Sequence, residues 1–126
     1  VAAQNKNFPW MSHYGEYQFF EERMRNHNKV SKLKNIQGGL YEILLKNGKT
    51  LKIFICECYS YGVAEYEETV QKLGPLDAII INSNWCGYSS EAKSYCRERL
   101  VGLFDIREFM AALNLTRYWE YPTENE

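Results

Sequence analysis

The 126-residue sequence predicts an α/β fold with a mixed central sheet built on a β-hairpin and flanked by helices on both faces. Three observations carry this. Two β-rich runs flank Asn47-Gly48, a strong hairpin signal because both positions tolerate positive φ. The second run is almost wholly apolar from Ile53 to Cys58, as expected of a central strand covered on both faces. Beyond it, helical and strand patterns alternate, which implies strands joined through helical crossovers.

The elements follow in order. "SHYGEYQFFEERMRNHN" reads as a helix, with Tyr17, Phe20 and Met24 on one apolar stripe and Ser12 as its N-cap. "KVSKLKNI" is a short strand whose lysines suit an exposed edge. The hairpin strands come next. "GVAEYEETVQKLG" is a helix with Val63, Tyr66, Val70 and Leu73 on one face, ended by Gly74-Pro75. "DAIIIN" is a buried strand, and "NSNWCGYSS" is a loop of turn formers in which Trp85 is either an anchor or a contact residue. "SSEAKSYCRER" is a helix capped by Ser89 or Ser90, and "LVGLF" is a strand. "DIREFMAALN" is a helix that Asp105 and Glu108 open as a capping box. Residues 12–114 thus form one domain, preceded by an extension over 1–11 and followed by a tail over 115–126 that frays at its end.

Composition narrows the class. The apolar fraction is 45% and the charged fraction 25%, as in an ordinary globular domain. No apolar run approaches the ~20 residues that span a membrane, and "VAAQNKNFPW" lacks the pattern of a signal peptide. The cysteines Cys56, Cys58, Cys86 and Cys96 show no CxxC spacing, so they read as buried thiols of a reducing, cytoplasmic compartment. Charge is uneven: residues 1–60 carry nine Lys/Arg and five Asp/Glu, whereas 61–126 carry six and eleven. Arg23, Arg25, Lys29, Lys32 and Lys34 form the basic excess. They are either a solvated face or a patch for nucleic-acid phosphates.

"IFICECYS" sets a carboxylate, Glu57, in an otherwise apolar strand, a costly placement unless the acid is paired, exposed or used. The first helix, then "GGLYEILLKNGKTLKIFICECY", a further helix, and "AIIINSNWCGYSSEAKSYCRERLVGLFDIREFMAAL" together resemble the restriction-endonuclease-like, PD-(D/E)xK fold, closest to its Mrr-type and Holliday-junction-resolvase-like members. The resemblance covers roughly residues 12–114 and rests on the order of elements. It implies metal-assisted phosphodiester hydrolysis with Mg²⁺ or Mn²⁺ held by carboxylates, and nucleic acid, DNA above all, as partner.

Carried over residue by residue, the resemblance places Glu42 and Glu57 at the catalytic acids and Glu16, on the first helix, as a third metal ligand. Tyr59 stands where the family has its lysine. With a two-residue Asn47-Gly48 turn, facing residues sum to 95, so Glu42 faces Ile53 and Glu57 faces Gly38. The two acids then share a face but lie roughly 13 Å apart along the strands. The expectations are therefore a nuclease, a binding protein that has lost cleavage, or a protein-interaction or homodimeric domain on the same framework.

Overall fold

The computed structural model describes residues 17–58, 60–82 and 87–122. It is an α/β protein whose elements follow the expected order: α1 (Gln18–Arg25), β1 (Val30–Gln37), β2 (Leu40–Leu45), β3 (Thr50–Cys56), α2 (Val63–Leu73), β4 (Ala78–Ile81), α3 (Ser90–Glu98), β5 (Gly102–Asp105) and α4 (Ile106–Ala112). A short 3₁₀ helix, Tyr118–Glu120, follows. The strands form one five-stranded mixed sheet in the order β1-β2-β3-β4-β5. β1, β2 and β3 make an antiparallel meander, and β3, β4 and β5 run parallel.

Strand order dictates where the helices go. The parallel strands follow in sequence, so right-handed β3-α2-β4 and β4-α3-β5 crossovers fall on the same face. That face packs Phe54, Cys56, Ile79, Ile81 and Leu103 against Tyr66 of α2 and Ala92 and Cys96 of α3. The other face is covered by helices outside the crossovers. Ile53, Ile55, Ile80 and Phe104 meet Phe20 and Met24 of α1 and Phe109 and Ala112 of α4. Alternate residues of β3 point into each cluster, so this strand is buried on both faces, as its apolar run predicts.

Local signals explain the boundaries. Ser89 caps α3, its hydroxyl accepting from the Ala92 N–H at 3.0 Å. Asp105 and Glu108 form the expected capping box, with the Glu108 N–H donating to Asp105 Oδ1 at 2.7 Å and the Asp105 N–H to Glu108 Oε1 at 2.9 Å. At α2 the Glu65 carboxylate accepts from the Gly62 N–H at 2.9 Å. Gly74, at φ 81°, closes that helix. The start of the tail is held: Tyr118 is buried and the 3₁₀ helix packs on β5, α3 and α4, while the end expected to fray, residues 123–126, lies outside the described residues. α1 begins at Gln18 with Tyr17 at its N-cap position, later than the expected start behind Ser12, which itself lies outside the described residues.

The β2–β3 turn departs from expectation. The Leu45 N–H donates to the Lys49 carbonyl at 2.8 Å, and the Gly48 N–H to the Leu45 carbonyl at 3.0 Å. Lys46, Asn47 and Gly48 therefore form a three-residue loop, with Gly48 at φ 93°. Asn47 Oδ1 accepts from the Lys49 N–H at 2.9 Å, which favours the longer loop over a tight two-residue turn. Facing residues now sum to 94: Tyr41 lies opposite Ile53, and Glu42 opposite Lys52.

Candidate nucleic-acid interface

The register change separates the two acids expected to cooperate. Glu42 stands in a cross-strand row with Lys34 on one side and Lys52 on the other, on the α2/α3 face. Ile55 belongs to the α1/α4 cluster, and Cys56 and Cys58 to the α2/α3 cluster. Strand alternation then assigns Glu57, just beyond the end of β3, to the α1/α4 face. Glu42 and Glu57 thus fall on opposite faces, about 16 Å apart along the strands, instead of sharing a face. They do not fit a shared Mg²⁺ or Mn²⁺ ion. One residue of slip at a turn inverts the face of every later side chain, and this is such a case. Glu16 and Tyr59 lie outside the described residues, as do Trp85 and Cys86. Among the described residues no group of three or more His, Cys, Asp or Glu side chains is arranged to hold a metal.

At the carboxyl ends of the parallel strands, where α/β sheets commonly bind ligands, the described residues are tied to one another. A crevice opens there when neighbouring crossovers go to opposite faces; here both go to one face. The loops after β3 and β4 are also tied together: the Tyr61 N–H donates to the Gly87 carbonyl at 2.9 Å and the Ser89 N–H to the Tyr61 carbonyl at 3.0 Å. Tyr88 Oη donates to Glu108 Oε1 at 2.7 Å, joining the α3 start to α4. Lys93 is buried and donates from Nζ to the Leu103 carbonyl at 2.5 Å, with the ammonium 4.0 Å from the Phe104 ring centre. Burial holds this amine down to about 8, against the upward pull of Glu108. Burial raises Tyr88, helped by the hydrogen bond to Glu108. Lys93, Tyr88 and Glu108 each have an internal partner, so their chemistry is that of a clamp on the free edge of β5.

The expected basic residues fare differently. Arg23, Arg25, Lys29, Lys32 and Lys34 lie on α1, β1 and the turn between them, and none is buried. Arg23 and Arg25 ride on α1, on the α1/α4 side of the sheet, whereas Lys32 and Lys34 share the parity of Glu42 and point to the α2/α3 side, so the five flank the β1 edge from both faces. Arg23 stacks its guanidinium 4.7 Å from the ring centre of exposed Phe19. Arg25 lies 3.5 Å from Glu21, which also accepts from Tyr41 Oη at 2.6 Å, so this carboxylate is shared. His27 fixes the turn that presents Lys29: Nδ1 accepts from the Lys29 N–H at 3.1 Å, and Nε2 donates to the Met110 carbonyl at 2.9 Å.

Two further cations belong here that sequence reasoning missed. The Lys46 N–H donates to the Lys29 carbonyl at 2.9 Å, which brings the β2–β3 turn and its exposed Lys46 and Lys49 beside the α1–β1 turn. No local pattern announces this; the β1–β2 pairing of Val30 with Leu45 creates it. Residues 18–52 carry eight Lys/Arg and three Asp/Glu, net +5, whereas 53–122 carry six and ten, net −4. The sheet thus joins a basic meander to an acidic parallel half. No family model, curated protein or solved structure matches the chain.

Proposed function

We propose that this protein binds nucleic acid through its basic meander, on a restriction-endonuclease-like framework, and does not cleave it. The observation that carries the reading is the exposure of Arg23, Arg25, Lys29, Lys32 and Lys34 around the β1 edge strand, within residues 18–52 of net +5. Lysine and arginine contacts to phosphate supply most sequence-independent nucleic-acid affinity. A first helix, an antiparallel meander and two crossovers, in the order the resemblance implies, support the framework. The separation of Glu42 from Glu57 favours binding over hydrolysis, because a metal-assisted reaction needs convergent carboxylates.

The test has two arms. Labelled DNA and RNA oligonucleotides are titrated by fluorescence anisotropy at low and rising salt. Supercoiled and branched DNA are incubated with Mg²⁺ or Mn²⁺, with Glu57→Ala alongside. Binding that weakens steeply with salt, without cleavage, is the expected result. Cleavage abolished by Glu57→Ala would refute the non-cleaving reading, and no binding at low salt would refute the nucleic-acid reading.

A further inference from the structure

The basic surface does not stop at α1 and β1. Backbone and side-chain hydrogen bonds run across the sheet at the amino-terminal ends of the parallel strands. The Lys46 N–H joins the Lys29 carbonyl at 2.9 Å, the Leu45 N–H joins the Lys49 carbonyl at 2.8 Å, and the Asp77 N–H joins the Lys52 carbonyl at 2.7 Å. The Gly102 N–H then joins the Asp77 carbonyl at 3.1 Å, reaching β5. Lys52 Nζ lies 3.5 Å from the Leu73 carbonyl at the end of α2, beside exposed Lys72. At the end of α3, exposed Arg99 stacks on Tyr95 at 3.5 Å and donates to the Tyr95 carbonyl at 2.9 Å, which fixes the guanidinium.

Helix polarity explains the arrangement. α2 and α3 both begin at the carboxyl ends of the strands and end at the amino ends, so cations at their last turns complement the helix dipoles. Acids gather at the opposite edge for the same reason: Glu57, Glu65, Glu91, Asp105 and Glu108 lie at strand ends or first helical turns. Acids sit among the cations of the amino edge as well. Asp77 accepts the Lys52 N–H at 2.7 Å, and Glu98 lies 3.9 Å from Arg99. Glu67 accepts from Tyr95 Oη beneath Arg99, and Glu120 pairs with Arg117 at 2.8 Å on the 3₁₀ helix packed against β5.

We infer that the nucleic-acid backbone lies across this amino edge, from Lys29, Lys46 and Lys49 to Lys72 and Arg99, and away from the edge at which the resemblance sets the catalytic centre. The inference rests on the nucleic-acid reading above and specifies where and how the partner sits. Four strand spacings make the edge about 19 Å wide, and a duplex offers about eleven phosphates over that length. Phosphates are therefore in excess, and the number of cations in contact sets the salt dependence. Tyr41 and Phe54 of the meander are buried, and the rings that reach the surface beside the cations, Phe19 and Tyr95, carry Arg23 and Arg99 stacked on them instead of being left open to bases. Contact is to phosphate, without sequence preference.

The experiment measures log K against log salt for a fluorescein-labelled 20-base-pair duplex, using the full chain. Lys46→Ala/Lys49→Ala and Lys72→Ala/Arg99→Ala should each flatten the slope by about 1.8, at about 0.9 for each phosphate no longer neutralised. Arg107→Ala, an exposed cation at the opposite edge, should leave it unchanged. If Lys32→Ala/Lys34→Ala weakens binding while both amino-edge pairs leave the slope intact, the partner is confined to β1 and this inference fails alone. If Arg107→Ala flattens the slope equally, attachment is diffuse and the inference also fails. If poly-glutamate competes as well as the duplex at equal charge, an acidic protein is the better occupant and the inference is overturned. If wild type binds no nucleic acid even at low salt, the reading beneath it falls as well.

Discussion

Replacing Lys93 by Met tests whether the buried amine is a structural clamp carried at an electrostatic cost. Its Nζ donates to the Leu103 carbonyl at 2.5 Å beneath the Phe104 ring, and burial lowers the amine to about 8. An unfolded chain returns it to about 10.4. Between these values the unfolded state binds more protons than the folded state, so the Lys93 contribution to stability rises with pH; below pH 8 it is flat. Part of the effect is screened, because the amine's neighbour Tyr88 is half-exposed, and the gain between pH 7 and pH 9.5 is about 1–2 kcal/mol. Burial raises Cys96 to about 12 and raises Tyr61 and Tyr118 as well, which lowers stability as pH rises past their unfolded values. The Tyr61 and Tyr118 losses are common to wild type and variant, whereas Cys96 also feels the Lys93 ammonium, so the difference reports Lys93 together with its coupling to that thiol. Urea unfolding followed by tryptophan fluorescence at half-unit steps of pH provides both curves. Wild-type stability relative to Lys93→Met should climb by that amount over the interval. A constant difference, or one that falls, would show that the folded amine is not depressed and would refute the reasoning.

Three other substitutions probe the framework. Gly39→Ala would set a Cβ 2.1 Å from the Ile55 carbonyl oxygen, which is backbone and cannot rotate away; a loss of about 2–4 kcal/mol in urea unfolding is expected. Leu100 occupies the left-handed position of a Schellman ending, with the Val101 N–H on the Cys96 carbonyl at 2.9 Å and the Leu100 N–H on the Arg97 carbonyl at 3.0 Å. It is exposed, so Leu100→Gly forfeits little burial, and relief of the φ 62° strain should stabilise by about 0.5–1 kcal/mol, visible as a higher melting temperature in calorimetry. Tyr41→Phe removes the 2.6 Å bond to Glu21 and should cost about 1–2 kcal/mol in urea unfolding. It also frees Glu21 to neutralise Arg25 more fully, so nucleic-acid affinity at low salt should fall slightly in anisotropy titrations.

Much of this fold was legible locally. The apolar stripe of α1, the caps of α3 and α4, the Gly74 stop and the apolar run of β3 each report on a contact made within a few residues or on burial along one element. Such signals survive without knowledge of what packs against them. The exposure of the basic residues around β1 was legible for the same reason, since β1 is an edge strand and its lysines announce it.

What the chain could not announce was register and juxtaposition. Whether the hairpin loop holds two residues or three depends on a balance between Asn47 bonding to Lys49 and a tighter turn, and that choice alone moves Glu42 from the face of Glu57 to the other. The meeting of Lys29 with Lys46, and of Lys52 with the end of α2, spans 17 and 21 residues of sequence, so no periodicity encodes either. Helix and strand formation follow from the side chains in order. The division of the molecule into a basic amino edge and an acidic carboxyl edge arises only once two crossovers of one hand align their helices, because only then do the charges at equivalent helix ends come together in space.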